Sequence, residues 1–389
     1  MIDAFFGEFL LHPIPLEMSG NTCSHNCCYC FANIRRCNRV SEISRVVKFL
    51  KGDSKVQNLA SVLYREGFPI CISNRSDPFS ESNYGETRIM AKILSEKQNG
   101  LFIQTKFGRE EYVDEFIEIL GNKKDVIFYV TITTPDDAIA KIIEPGAPPP
   151  SVRKQIALRL VKRGYPVIIA FNPYVEGWTN LEENLNECVY FSKHGINNFV
   201  YQRLHLTTAD IKMMDKSMLN RLKKTGIDIE PYTKKNTRIE IQKKAQAAVI
   251  QTYKAGYNSI LWGMPFKTDF FNIFEKTYKK CFPSNYKFYN WAIKNKKPEE
   301  IITKNEYINS LEKSFGKLLD APLKGIDTYI LRMSRAVWKG NMRAQNLRTY
   351  RDLLGIIYDD SRISACPKNN ILMKTNEKNE LVFNGIVNP

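Results

Sequence analysis

The chain has 389 residues, 43% of them hydrophobic and 25% charged, ordinary proportions for a globular protein with a large buried core. No apolar run approaches the roughly 18 residues needed to span a bilayer, and residues 1–11 carry Asp3 and Glu8 with no basic leader, so neither a membrane span nor a secretory signal is expected. Lysine and arginine number 57 against 41 aspartate and glutamate, a net charge of +16 that favours a polyanionic partner such as nucleic acid.

Residues 11–20 place Ile14, Leu16 and Met18 in alternation and read as a first strand entering a cysteine-rich loop. Residues 41–50 and 54–65 read as helices, and 68–73 (FPICIS) as a short apolar strand leading into the polar loop 74–79. There follow a helix over 84–97, a strand over 101–105 ending at Lys106, a helix over 110–120 and a strand over 126–133. The β-branched and aromatic run of that last strand suits a buried parallel sheet. Residues 143–150, in the run IIEPGAPPP, cannot be helical, and Ser151 is positioned to cap a helix over 151–163. A strand over 165–171, a helix over 181–193 and a strand over 198–202 complete the series.

Strand and helix alternate at least six times with short connections, the pattern of βα units on a parallel sheet. The expected fold is α/β, a partial (β/α)6 TIM-type barrel over residues 1–264 with function on the loops at the C-terminal strand ends. Beyond Thr207, residues 209–224 and 238–255 read as basic helices and 257–263 as one more strand. Residues 265–389 read as a basic, aromatic-rich, mainly helical region that binds substrate or forms a lid, with the strongly basic 331–354 across the barrel mouth. Lys and Arg interleaved with Phe, Tyr and Trp suit a nucleic-acid groove. An ordinary helical lid with its aromatics in the core fits the same composition.

Cys23, Cys27 and Cys30 form C-x3-C-x2-C in the loop after the first strand, with Tyr29 just before the last cysteine. Thiolates this close need an electropositive centre. Three of them suit a [4Fe-4S] cluster, whose usual complement is four, with one iron left open to a small molecule. A structural zinc completed by Cys37 is the alternative, although zinc sites come as two knuckles separated by a longer loop. Nine cysteines, an odd number, argue against a disulfide scaffold and for a reducing compartment. Cys28 and Cys37 read as bystanders, and His25 as shaping the loop rather than binding metal. The loop 74–79, Lys106, Thr131 and Thr133 fall at the same strand ends as the cysteines.

The cysteine motif is similar to that of the radical SAM superfamily. Ser76-Asp77-Pro78-Phe79 with Thr87-Arg88, then Thr105-Lys106, Val130-Thr131-Ile132-Thr133-Thr134, Glu144-Pro145-Gly146-Ala147-Pro148 and Arg153, resemble its spore photoproduct lyase-like (DNA repair photolyase-related) group, over residues 14–205. The resemblance implies a barrel of the radical SAM kind, a [4Fe-4S] cluster on Cys23, Cys27 and Cys30, and S-adenosylmethionine cleaved to a 5'-deoxyadenosyl radical. It implies that Lys106 pairs with the carboxylate of S-adenosylmethionine. Thr131 and Ser73 would hydrogen-bond its amino-acid or ribose part, Asp77 would position substrate or cofactor, and Tyr29 would stack near the adenine. The group's Glu six residues after the Asp is Asn83 here. The cysteine that returns hydrogen in photoproduct lyases has only Cys71 as a counterpart, six residues before Asp77 rather than three. Cys71 is therefore a candidate catalytic residue beside the plainer reading of a buried structural thiol.

The function so implied is hydrogen abstraction from a nucleic-acid base or base substituent, foremost modification or isomerisation (hypermodification) of DNA thymine. The alternatives are repair of a thymine photoproduct, radical chemistry on a peptide or small metabolite, and a zinc-stabilised nucleic-acid-binding protein without catalysis. Isolated Cys188, Cys281 and Cys366 argue against a peptide-modifying subclass with auxiliary clusters. The expected partners are DNA as substrate and a reductant such as flavodoxin or ferredoxin, with no membrane. The expected location is the cytoplasm, that of the host if the chain is viral.

Overall fold

The computed structural model describes residues 14–16, 23–35, 43–52, 64–65, 67–72, 76–204, 206–230, 235–261, 270, 272–279, 291–292, 294–303, 306, 373–375 and 381–383. Seven strands lie in one sheet in chain order: β1 (Ile14–Leu16), β2 (Ile70–Ile72), β3 (Leu101–Thr105), β4 (Val126–Thr131), β5 (Val167–Tyr174), β6 (Asn198–Arg203) and β7 (Asn258–Leu261). The pairings from β3 through β7 are parallel. β1 and β7 are the two ends of the order, so the sheet is open, an α/β partial barrel. Sequential order with a helix after most strands is what right-handed βα units produce. The helices are α1 (Phe31–Ile34), α2 (Ile43–Lys51), α3 (Tyr84–Leu94), α4 (Glu110–Leu120), α5 (Asp137–Ile143), α6 (Pro150–Lys162), α7 (Leu181–Ser192), α8 (Thr208–Met213), α9 (Lys216–Lys224), α10 (Lys235–Lys254) and α11 (Asn272–Thr277). None of them is long and apolar enough to cross a membrane.

The central strands are buried along their length, which is why they read as continuous apolar runs. α4 shows the complementary logic. Val113, Phe116, Ile117 and Leu120 recur at helical spacing and are buried, Glu110 and Glu111 meet the positive N-terminus, and Gly121 closes the helix at φ 56°.

Several boundaries differ from expectation. β4 ends at Thr131 rather than residue 133, and β5 begins at Val167 and runs on to Tyr174. The unexpected α5 starts where the Asp136 carboxylate accepts from the backbone N–H groups of Ala138 and Ile139. Ser151 is not the cap of α6. Pro149 holds that place and Pro150 opens the helix, while Ser151 donates from its N–H and hydroxyl to Asp137. The helix expected over 209–224 is two, because Met214 is extended and Asp215 caps a new start by accepting from Met218 N–H. The helix expected over 54–65 lies outside the described residues except Tyr64 and Arg65, as does most of 265–389, including 331–354.

The chain divides into two compact units. One comprises residues 16–53 and 71–262 and carries every candidate site residue. The other comprises 1–15, 54–70 and 263–389. In it an antiparallel pair, β8 (Met373–Thr375) and β9 (Leu381–Phe383), meets the segment 299–301 through hydrogen bonds from Glu299 N–H to Phe383 O and from Phe383 N–H to Glu300 O.

Candidate active site

The cysteine loop turns on two tight backbone hydrogen bonds, Asn26 N–H to Cys23 O at 3.2 Å and Cys30 N–H to Cys27 O at 3.1 Å, with Asn26 at a positive φ of 49°. It is seated on the turn after α5. Cys28 N–H donates to Ile143 O at 2.8 Å and Gly146 N–H to His25 O at 3.0 Å. Gly146 has to be glycine, because a Cβ there would stand 2.1 Å from Ser24 O and 2.9 Å from the His25 Cα. Ser24 and Ser82 exchange hydrogen bonds between hydroxyls and N–H groups, and Arg221 Nη1 donates to Asn26 O at 2.8 Å. Below the loop, Cys28 belongs to an apolar cluster with Ile143, Val175, Trp178, Met218 and Leu222.

His25 faces two acceptors. Its Nδ1 donates to Gly146 O at 3.0 Å, and its Nε2 stands 3.3 Å from Asp77 Oδ2. His25 thus bridges the Gly146 carbonyl and the Asp77 carboxylate, tying the cysteine loop to both. The Asp77 carboxylate is a junction. Oδ1 accepts from Phe79 N–H at 2.9 Å and from the Thr105 hydroxyl at 2.8 Å, and Oδ2 accepts from Lys106 N–H at 2.5 Å. Burial would raise its pKa, but His25 and the backbone donors outweigh that and hold it below the ordinary value. Asn83, at the position of the missing Glu, donates from Nδ2 to Asp77 O. Gly108 lets the two loops touch, because a Cβ there would lie 1.8 Å from Phe79 O.

A second buried group centres on Glu144. Its Oε2 lies 2.5 Å from Arg153 Nη2, and both side chains are fully enclosed. Its Oε1 accepts from the Thr133 hydroxyl at 2.5 Å and from the Tyr29 hydroxyl, with Lys106 Nζ at 3.8 Å. Burial pushes the Glu144 pKa up, yet Arg153 and then Lys106 bring it down to about 2. Arg153 also donates to Thr131 O at 3.1 Å and Pro148 O at 2.7 Å, tying the end of β4 to the start of α6. The Tyr29 ring has Lys106 Nζ 5.7 Å from its centroid and the Trp178 ring 5.5 Å away, tilted by 41°. Burial opposes the Lys106 charge, but Glu144 and then Cys27 favour it, and its pKa is raised.

The structure thus brings Cys23, Cys27, Cys30, Tyr29, Asp77, Lys106 and Thr131 to one end of the sheet. Cys71 is buried within β2 itself. Ser73 and Cys37 lie outside the described residues. Sequence reasoning placed Thr133 at the strand ends with the cysteines but did not give Glu144 or Arg153 a role at the site, although both stood in the quoted motifs. An acid and a base flanking a Pro-Gly-Ala-Pro turn was the available signal.

The donor set fits an iron–sulfur cluster. Cys23 and Cys27 are buried and Cys30 is partly so, on one short loop. Burial, with Asp77 adding, pushes the Cys23 thiol up to about 11, and burial pushes Cys27 well above its ordinary value. Such thiols hold a negative charge only when a cationic centre joins them. The thiolates of such a cluster sit on separate irons, which three cysteines spaced along one loop can serve.

No family model matches the chain. The uncharacterized protein ORF301 of Acidianus two-tailed virus is 29% identical over 162 residues, covering 39% of this chain and 52% of that one. The chain thus spans about half the length of the curated relative it matches. Among solved structures, it is similar to a spore photoproduct lyase variant with bound S-adenosylmethionine and dinucleoside spore photoproduct, with a TM-score of 0.42, 14% identity, and coverage of 64% of this chain and 75% of that one. It is also similar to SuiB of Streptococcus suis bound to S-adenosylmethionine, with a TM-score of 0.44, 13% identity, and coverage of 68% and 53%.

Proposed function

We propose that this chain is a radical SAM enzyme that binds a [4Fe-4S] cluster through Cys23, Cys27 and Cys30, with S-adenosylmethionine beside it, and acts on DNA. The observation that carries the reading is the seating of the three-cysteine loop against the Glu144–Gly146 turn and Asp77, with Lys106 at the same strand ends. When bound, the cluster and S-adenosylmethionine would supply a 5'-deoxyadenosyl radical for hydrogen abstraction.

The chain's own residues supply position and charge. Lys106 keeps 16% of its side chain exposed while Arg153 keeps none, so Lys106 is the cation with surface to offer a carboxylate ligand. Glu144 Oε1, 3.8 Å from that ammonium, and the Tyr29 ring, 5.7 Å from it, help to hold it in place. Asp77 acts as a positioning residue, locking the ends of β2 and β3 together and steadying His25. Thr131, at the end of β4, offers a hydroxyl beside the backbone that Arg153 anchors. A base in a duplex would have to leave the stack to reach these strand ends.

Modification or isomerisation of thymine is favoured over photoproduct repair because Cys71 sits inside β2 rather than on the loop after it. The test is to reconstitute the protein anaerobically and supply S-adenosylmethionine, a reductant and perdeuterated DNA, plain or bearing candidate thymine lesions and modifications. About four irons per chain and deuterium in the 5'-deoxyadenosine are expected. One zinc per chain and no 5'-deoxyadenosine would overturn the reading. Unlabelled 5'-deoxyadenosine would keep the radical chemistry and remove DNA as its target.

A further inference from the structure

We infer that the exposed face of α8 and α9 is the surface on which the DNA backbone lies, beside the cysteine loop. The inference rests on the proposed action on DNA and adds a place for the strand. Five cations, Lys212, Lys216, Arg221, Lys223 and Lys224, fall within residues 212–224. The four lysines are exposed, and among the described residues none of them has a carboxylate partner. The acids nearest in sequence are spent locally. Asp210 is buried against Arg35, Asp215 caps α9, and Asp228 accepts from Glu230 N–H.

The contrast is with the outer helices of the same unit. There Lys154 pairs with Glu187, Arg159 with Glu110 and Asp114, and Arg163 with Asp114. With five cations against one exposed acid, Asp215, residues 212–224 present a net positive field that a matched surface does not. The ridge is also fixed relative to the cysteines. Met218 and Leu222 anchor α9 in the apolar cluster that holds Cys28 and Trp178. Arg221 spans the remaining gap with two contacts to Asn26, 2.8 Å to its carbonyl and 3.3 Å to its side-chain oxygen. From Lys216 to Lys224 the helix rises about 12 Å. That matches about three phosphate steps of ~3.4 Å along one strand. A strand held there would run past the exposed Ser24 and Asn26 of the loop.

The experiment compares two triple variants of the full-length protein, loaded anaerobically. One is Lys216→Gln/Lys223→Gln/Lys224→Gln. The other is Lys92→Gln/Lys162→Gln/Lys193→Gln, which removes the same charge from exposed sites elsewhere. Binding of fluorescein-labelled thymine-containing duplex and single-stranded DNA is measured by anisotropy across a salt series, with RNA of the same sequence as a third arm. The ridge variant is expected to lower the slope of log affinity against log salt by about 2.7 on duplex, and the affinity at 0.15 M salt by on the order of 100-fold. The control variant should lose less than a tenth of that, and both should keep wild-type iron content and DNA-independent cleavage of S-adenosylmethionine. Equal losses in the two variants, or an unchanged slope in the ridge variant, would overturn the ridge while leaving the DNA reading in place. Wild-type protein that binds RNA in preference, or no DNA at all, would overturn the occupant and with it the DNA reading, while the iron count would still report on the cluster.

Discussion

Two groups of charges in the same unit use the same residue types to opposite effect. Glu144 and Arg153 are sealed at the strand ends, with their remaining polar atoms turned to Thr133, Tyr29, Thr131 and Pro148. Glu110, Asp114, Arg159 and Arg163 form a comparable chain of ion pairs on α4 and α6, with each side chain well over a third exposed. In the first group every partner is irreplaceable, because a charge left alone in the interior has no water to turn to. In the second, water takes over whenever a partner is lost. Charge count says little about what holds this fold. Enclosure decides it.

The sharpest way to break the comparison is to remove one buried cation. Arg153→Ala leaves the Glu144 carboxylate enclosed and should cost about 3–5 kcal/mol of unfolding free energy by urea titration. A loss below 1 kcal/mol would put the two groups on the same footing. Acid should report the same asymmetry without mutation. The Glu144 pKa is depressed from the ordinary 4.5 to about 2, so its contribution is complete above pH 4.5 and is lost as pH falls through about 2. That difference corresponds to about 3 kcal/mol, read as a fall in the urea midpoint over this window that Arg153→Met reduces, leaving the part due to Lys106, Thr133 and Tyr29. Asp77→Asn turns an acceptor into an amide donor facing the donors of Lys106 or Thr105 and should cost about 2 kcal/mol. Arg159→Ala marks the other end of the scale, with an expected change of less than about 1 kcal/mol that shrinks further in 0.5 M salt.

The parts legible in the sequence were those set by local pattern. β3 and α4 fall on the residues expected from alternation and helical spacing, and the cysteine spacing marked the loop that the strand ends hold. α5 was missed because the seven residues Asp137–Ile143 are too short to show a helical period, and the Asp136 cap that starts them is seen only in the fold. Losing α5 hid Glu144. Its partners lie 11 residues back at Thr133, 38 back at Lys106 and 115 back at Tyr29, separations that no local pattern encodes. Asp77 shows the same limit from the other side. The motif singled it out, but its contacts with Thr105, Lys106 N–H and His25 arise only once three strand ends are neighbours.

Gly108 and Gly146 carry a consequence for heredity. Each faces a backbone oxygen, at 1.8 Å and 2.1 Å from where a Cβ would stand, and a backbone cannot step aside as a side chain can. Every missense change of a glycine codon adds at least that one carbon. The gene is therefore brittle at these two codons through the backbone alone, whatever side chain the new codon brings. Random mutagenesis scored by iron retention should return these two positions as gaps beside those of the three cysteines, marking from inheritance alone where the cysteine loop and the β3 loop are pressed against their neighbours.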